Sequence, residues 1–464
     1  MVSLSTYLLA FVLPASLALA KPTSSPVCIV GAGPAGLAAA KALEDKGKDV
    51  VVFEKKATVG GKCQAIYKDG FFHPLGAVLF EKAAYVETVK LIEQTGVPYS
   101  NLSSGERWYF DWKTGTAAQA PPTPQDVATA LVLEYQQYTE FWNTVYRPSS
   151  VSGYKNGVPP ELAVPGAQWL AQNGYQILGL AMVDAFVTYG YGDYREVPAL
   201  YVLEFFTPSI LAYLLGLTPG YKIDFHKLFA EFSKSIKAQI HLSTNIILIS
   251  RWRSPIIIYR EGHNWLPRIQ TCSDLILAFP PTVEALEGAG LILSREEEDL
   301  FSAVRVVNYF SSAVKMRQLP GNVSFSPLKT DPFTPVAPEG QPIFFTALHP
   351  GSGVANVWSW DADDATKDIS RVRRLLTETL SKYNKDPKDT AQKPTPVRDK
   401  DVIGFSAVTD YFPHVGPAEL DGGWYARFNA LMGTSHTYYA SGLNSFETVE
   451  FALRAGQDIV ESYL

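Results

Sequence analysis

The stretch from Val27 to Gly61, VCIVGAGPAGLAAAKALEDKGKDVVVFEKKATVGG, constrains this chain more than any other. Val27 to Val30 have the composition of a strand buried on both faces. Gly31, Gly33 and Gly36 follow in the spacing G-x-G-x-x-G, with Pro34 placed to open a helix. Each glycine has a separate reason: Gly31 permits a tight turn, Gly33 lets a pyrophosphate approach the backbone, and Gly36 lets the helix lie close on the strand. The phosphates of a dinucleotide would then sit over the helix N-terminus. An apolar helix face (Leu37, Ala40, Leu43) leads to a second buried strand, Asp49 to Phe53, which ends in Glu54. A carboxylate there accepts from both ribose hydroxyls of an adenosine and repels a 2′-phosphate.

Length and composition bound the rest. The 464 residues suffice for two or three cores, and 47% apolar with 19% charged is ordinary for a globular protein. The net charge of −6 and the absence of a basic block argue against nucleic acid as a partner. Tyr7 to Ala18 form a short apolar run, and Ala18-Leu19-Ala20 is the small-x-small pattern of a signal-peptidase site, so residues 1–20 read as a signal peptide with a secreted chain starting at Lys21. The longest later apolar run, Ala199 to Leu217, is interrupted by Glu204 and Pro208 and does not read as a stable membrane span. It reads instead as a buried helix pair walling an apolar tunnel. Three cysteines, Cys28, Cys63 and Cys272, imply no disulfide framework and no metal site. Asn101-Leu102-Ser103 and Asn322-Val323-Ser324 are N-glycosylation sequons.

Further residues carry a resemblance. Glu54-Lys55, then four residues, then Gly60-Gly61 resembles the E-(K/R)-x4-G-G pattern of the FAD-dependent amine oxidase and phytoene desaturase-like superfamily, with Lys62 where that superfamily often has Arg and Gly76-Ala77 in its next conserved piece. The segment AFVTYGYGDYREVPALYVLEFF from Ala185, and the C-terminal order YFPHV, Gly423-Trp424-Tyr425, Thr437 to Gly442, then a helix from about Thr448, resemble the flavin-dependent polyunsaturated fatty acid double-bond isomerases. The overall layout is also similar to the β-cyclopiazonate dehydrogenase-like flavoproteins. The resemblance implies an α/β fold. A Rossmann-like FAD-binding domain is assembled from residues 21–80, 221–300 and 401–464. Residues 81–220 and 301–400 form an α+β substrate domain with a mostly antiparallel sheet and a helical cap.

By the same resemblance FAD meets Gly31, Gly33, Ala35, Gly36, Glu54, Lys55, Gly61, Lys62, Gly76, Ala77, Ile247, Ser441, Gly442, Thr448 and Val449. One departure matters: Ser441 and Gly442 stand where the superfamily has Gly and an acid, so the ribityl contact is expected from Ser441, Asn444 or a backbone amide. Phe186, Tyr194 and Tyr201 are expected to line a pocket for an apolar substrate, with Arg107 as a clamp for a substrate carboxylate. Tyr189, Tyr191, Tyr411 and His414 are the candidates for a base or a substrate-orienting group. No second nucleotide fingerprint offers a site for NAD(P)H. Electrons taken from a small apolar substrate must therefore pass to an acceptor such as dioxygen, giving a dehydrogenation, desaturation or oxidative cyclisation of the kind found in secondary metabolism. Alternatively they return to the same molecule, giving a double-bond isomerisation. A non-catalytic binding protein on the same fold is the third reading.

Overall fold

The structure is a computed structural model that describes residues 25–102, 105–119, 122–327, 340–362 and 368–464; the expected signal peptide lies outside the described residues. Five parallel strands form the nucleotide sheet. They are β1 (Val27–Val30), β2 (Val50–Phe53), β3 (Gln239–His241), β4 (Leu275–Leu277) and β5 (Thr437–Tyr439), in the spatial order β3-β2-β1-β4-β5. Three separate stretches of chain thus build one sheet, and β1 at its centre is buried along its whole length.

Helix α1 (Pro34–Asp45) joins β1 to β2, and α2 (Val449–Tyr463) follows β5. Proline at the first position of α1 presets its φ, while Thr448 caps α2 by accepting from the Phe451 amide at 3.2 Å. A Cβ on Gly456 would lie 2.0 Å from the Ala35 carbonyl oxygen, so only glycine lets α2 seat directly on α1. Both helices bury an apolar face against the sheet through Leu37, Leu43, Leu453 and Ile459, each side chain stabilising the layer by about 2 kcal/mol. Their N-termini point the same way, over the C-terminal ends of β1 and β5.

A seven-stranded sheet forms the second unit. Its order is Val402–His414, Arg305–Lys315, Val354–Ala362, Pro342–Thr346, Val323–Pro327, Glu106–Phe110, Ala117–Gln119. All neighbours are antiparallel except Val323–Pro327 beside Glu106–Phe110. Strand alternation sorts its side chains. Phe110, Phe325, Phe345 and Val357 meet the helix Ile369–Tyr383 on one face, whereas Arg107, Ser324, Thr346 and Trp358 look into a cavity on the other. Aromatic side chains tie down the cap helix Ala199–Phe205 and the turn after it by donating to backbone carbonyls: Tyr146 Oη reaches Leu200 O at 2.9 Å, Trp142 Nε1 reaches Leu203 O at 2.9 Å, and Tyr138 Oη reaches Phe206 O at 2.8 Å. Among the described residues no helix is long and apolar enough to cross a membrane.

The helix Arg295–Phe301, whose Ser294 and Glu297 form a capping box, leads into the strand that starts at Arg305. One expectation needs correction. The cysteines are not all free. Cys28 and Cys272 form a disulfide, because Ser273 donates to the Pro26 carbonyl at 2.9 Å just before β4 pairs with β1, bringing the two Cα atoms within 5.6 Å.

Candidate active site

One cavity of about 1810 Å³ runs from the nucleotide sheet to the face of the seven-stranded sheet. Its first part is a cradle lined by backbone. Gly31 has φ +108°, and a Cβ there would sit 2.7 Å from the Ala278 carbonyl oxygen. Gly61, at φ +56°, would place a Cβ 3.0 Å from the Gly33 Cα, so two glycine-only segments face one another. Glu54 lines the cradle with only 5% exposure; Oε2 accepts from the Ala32 amide and Oε1 from the Lys56 amide, each at 2.8 Å. Those bonds fix the carboxylate and leave its remaining lone pairs for a ribose diol. The cradle thus fits a dinucleotide with a free 2′-hydroxyl.

Gly33, Ala35, Lys55, Lys62, Gly76, Ala77, Ser441, Gly442, Thr448 and Val449 line the same cavity. Gly36 does not line it; a Cβ there would meet the Gly31 carbonyl oxygen at 1.9 Å, so this residue serves helix packing. Ile247 is corrected by one position: its side chain is 40% exposed, and Asn245 and Ile246 face the cavity instead. The register of this strand shifts between Ile246 and Leu248, a bulge that reverses the alternation at this point.

Beyond the cradle the wall is aromatic. Tyr309, Tyr411, Tyr191 and Tyr189 stack in a row, with successive centroids 4.8, 5.7 and 6.4 Å apart. Gly190 makes the row possible, since its φ is +83° and a Cβ would lie 2.2 Å from the Tyr309 ring. Tyr309 Oη donates to Thr188 O at 2.9 Å and Tyr191 Oη to Glu447 O at 3.0 Å. Burial holds the phenols of Tyr189, Tyr191, Tyr309 and Tyr411 well above the ordinary tyrosine range. They are protonated at neutral pH and serve as donors and platforms, not bases.

Phe186, Tyr194 and Tyr201 are not in the wall; they are core. Tyr201 Oη meets Tyr425 Oη at 2.9 Å and accepts from the Val415 amide at 3.2 Å, and Phe186 packs among Phe205, Phe206, Phe412 and Phe446. His414 is also outside the wall. Its ring is stacked on Phe412, Nδ1 donates to the Phe412 carbonyl at 2.9 Å, and burial pushes its pKa down to about 4. No histidine lines the cavity among the described residues. Arg107 does line it, two strands from Thr346 in register with Ser324.

A charged cluster joins the two parts. Lys62 Nζ is 3.1 Å from Glu447 Oε1, 2.8 Å from the Asp410 carbonyl oxygen and 5.4 Å from the Tyr411 ring centroid. Burial pulls the Lys62 pKa down, but the Glu447 and Asp410 carboxylates more than offset it and hold the ammonium above its usual range. Burial raises Glu447. Sequence reasoning missed Glu447, Lys222 and Tyr309; only their placement by β-pairing and the turn after β5 brings them to the cavity.

Residues 29–94 match the NAD(P)-binding Rossmann-like domain family. Over 434 residues the chain is 26% identical to an FAD-dependent oxidoreductase of Colletotrichum higginsianum, covering 90% of this chain and 88% of that protein. Over 437 residues it is 24% identical to beta-cyclopiazonate dehydrogenase of Aspergillus flavus, covering 92% and 91%. The chain is a homologue of FAD-dependent oxidoreductases. It superposes on the CLA-producing fatty acid isomerase from P. acnes with a TM-score of 0.79 at 21% identity, covering 96% of this chain and 100% of that one. It superposes on putrescine oxidase with a TM-score of 0.63 at 15% identity, covering 94% and 98%.

Proposed function

We propose that this chain is an FAD-dependent oxidoreductase that takes a hydride from an apolar small molecule, with dioxygen as the electron acceptor. The observation that carries the reading is the continuity of the cavity: a dinucleotide cradle opens without a break into a chamber walled by stacked tyrosines. Bound FAD supplies the hydride acceptor. The residues supply position and field. Glu54 would hold the adenosine ribose, the backbones of Gly31, Gly33 and Gly61 would admit the diphosphate, and the N-terminus of α2, which Thr448 caps at the cavity wall, would favour negative charge on the reduced group. The tyrosine row offers flat faces to an unsaturated or ring-bearing substrate, and its protonated hydroxyls can orient polar substituents. With no histidine in the wall among the described residues and the phenols kept neutral, the tyrosine row suits hydride abstraction from a carbon that needs little help from a base.

Anaerobic mixing with candidate substrates tests this. A substrate should bleach the flavin band, and admitting air should release peroxide in step with product. Product without bleaching or peroxide, and with unchanged mass, would replace net oxidation by isomerisation. That second reading is favoured by the likeness to the fatty acid isomerase and by Arg107 in the cavity wall, which could hold a carboxylate. Under it, Arg107→Ala should raise KM for an acidic substrate by about tenfold or more without changing flavin content.

We also place the chain in the secretory pathway. The buried disulfide fits an oxidising compartment, the apolar segment before Lys21 fits a removed signal, and the sequon residues Asn101 and Asn322 are both exposed.

A further inference from the structure

The turn after β5 is where an acid was expected and is absent. Ser441 and Asn444 do not fill that role, because they are used locally. Ser441 Oγ accepts from the Leu443 amide at 3.2 Å, Asn444 Oδ1 accepts from the Ser441 amide at 2.8 Å, and Asn444 Nδ2 donates to Tyr439 O at 3.0 Å. Their side chains close a capping box and have little left for a ligand.

Glu447 occupies the space instead. A Cβ built on Gly442 would lie 2.7 Å from Glu447 Oε2, so the carboxylate stands where a side chain at position 442 would begin. Oε1 is paired with Lys62. Oε2 is buried with no completed hydrogen bond, although the Phe412 amide faces the carboxylate. The residue lines the cavity beside Gly61 and Lys62 on the cradle side and Tyr191 and Tyr411 on the chamber side. A flavin dinucleotide spanning cradle and chamber must pass its polyhydroxyl ribityl chain through this junction, and a buried acceptor lacking a partner matches a hydroxyl donor.

We propose that Glu447 is the carboxylate that receives the ribityl hydroxyls of the bound cofactor, replacing the acid absent at Gly442. The inference rests on the reading of the cavity as an FAD site. It assigns a binding role to a residue outside the glycine fingerprint, and it makes positions 442 and 447 mutually exclusive sites for one acid. Gly442 does not have a positive φ, so a side chain there is barred by Glu447 and not by the backbone. A Cβ at 442 would also stand 3.1 Å from the Glu447 Cα, a contact that remains in Glu447→Ala and must give by a few tenths of an ångström.

The test strips FAD from the purified holoprotein and titrates the apoprotein with FAD and, separately, with ADP, following flavin fluorescence and thermal shift. Glu447→Ala should weaken FAD by about tenfold or more, the worth of a charge-assisted hydrogen bond, while ADP, which lacks the ribityl chain, binds as in wild type. Gly442→Asp alone should also weaken FAD by crowding Glu447. The double variant Gly442→Asp/Glu447→Ala should recover FAD binding to within about threefold of wild type. Unchanged FAD affinity in Glu447→Ala, equal loss of FAD and ADP, or a double variant as weak as the two single losses combined would each overturn the proposal. Wild-type apoprotein that binds ADP but not FAD would instead remove the FAD reading itself, and this inference with it.

Discussion

Cys28, in the strand β1 that opens the nucleotide cradle, is bonded through sulfur to Cys272, 244 residues later and just ahead of β4. Both residues are fully buried. Closing so long a loop restricts the unfolded chain, worth on the order of 4 kcal/mol in the chain-entropy account.

The first prediction follows from that bond. Denatured, unreduced protein should expose one reactive thiol, that of Cys63, and reduced protein three. The double variant Cys28→Ala/Cys272→Ala should melt several degrees lower than wild type. Three thiols without reductant would contradict the pairing.

A second prediction concerns Glu204, buried under the cap helices. Tyr146 Oη is placed to donate to Leu200 O and is also in contact with Glu204, while Ser150 Oγ donates to Glu204 Oε1 at 2.9 Å. Tyr146 has one proton for two acceptors, so Glu204 is best satisfied by bringing its own. Burial raises its pKa to about 7 from an ordinary 4.5. A raised folded pKa means that this contribution is fully present below pH 4.5 and is lost as pH rises through 7. Buried His349 and His414, both pushed down to about 4, act in the opposite sense, losing stability as pH falls below 6.5. The difference between wild type and Glu204→Gln isolates the glutamate: the variant should gain roughly 3 kcal/mol relative to wild type between pH 5 and 8. Parallel stability curves would contradict this.

How much of this was legible in the residues varied with range. Glu54 and the glycines of the cradle were readable because each acts within a few residues of its neighbours. Ile247 was misplaced by a bulge, which no pattern of apolar residues announces. Phe186, Tyr194 and Tyr201 share their composition with Tyr189 and Tyr191, yet only the latter pair reaches the cavity, since aromatic density looks the same in a wall and in a core. The Cys28–Cys272 bond and the approach of Glu447 to Gly442 depend on strand pairing and loop path, and leave no local mark.

Tyr191 carries a third prediction. Its hydroxyl already donates to Glu447 O, and its phenol is held above the ordinary range by burial. Tyr191→Phe should therefore change kcat by less than about tenfold and leave the pH profile without a lost limb, whereas removing a true general base costs about 100-fold or more. A loss of that size with a vanished limb would make Tyr191 the base.

Glu54 carries a fourth. Glu54→Ala leaves the Ala32 and Lys56 amides without their acceptor and removes the proposed ribose acceptor, and Gly33→Val adds bulk to the backbone cradle beside Gly61 where the diphosphate is proposed to lie. Both variants should purify with little or no bound flavin and show FAD affinity weakened by about 100-fold or more in titration of the apoprotein. Full flavin content in Glu54→Ala would move the adenosine elsewhere.

The most direct measurement is the visible absorption spectrum of the purified wild-type protein, with identification of whatever is released on denaturation. Two bands, in the near ultraviolet and the blue, and release of FAD in about one-to-one ratio with protein are the expected result. A colourless protein that stays colourless when incubated with FAD would contradict the assignment of the cavity to a flavin and leave the cradle to another dinucleotide.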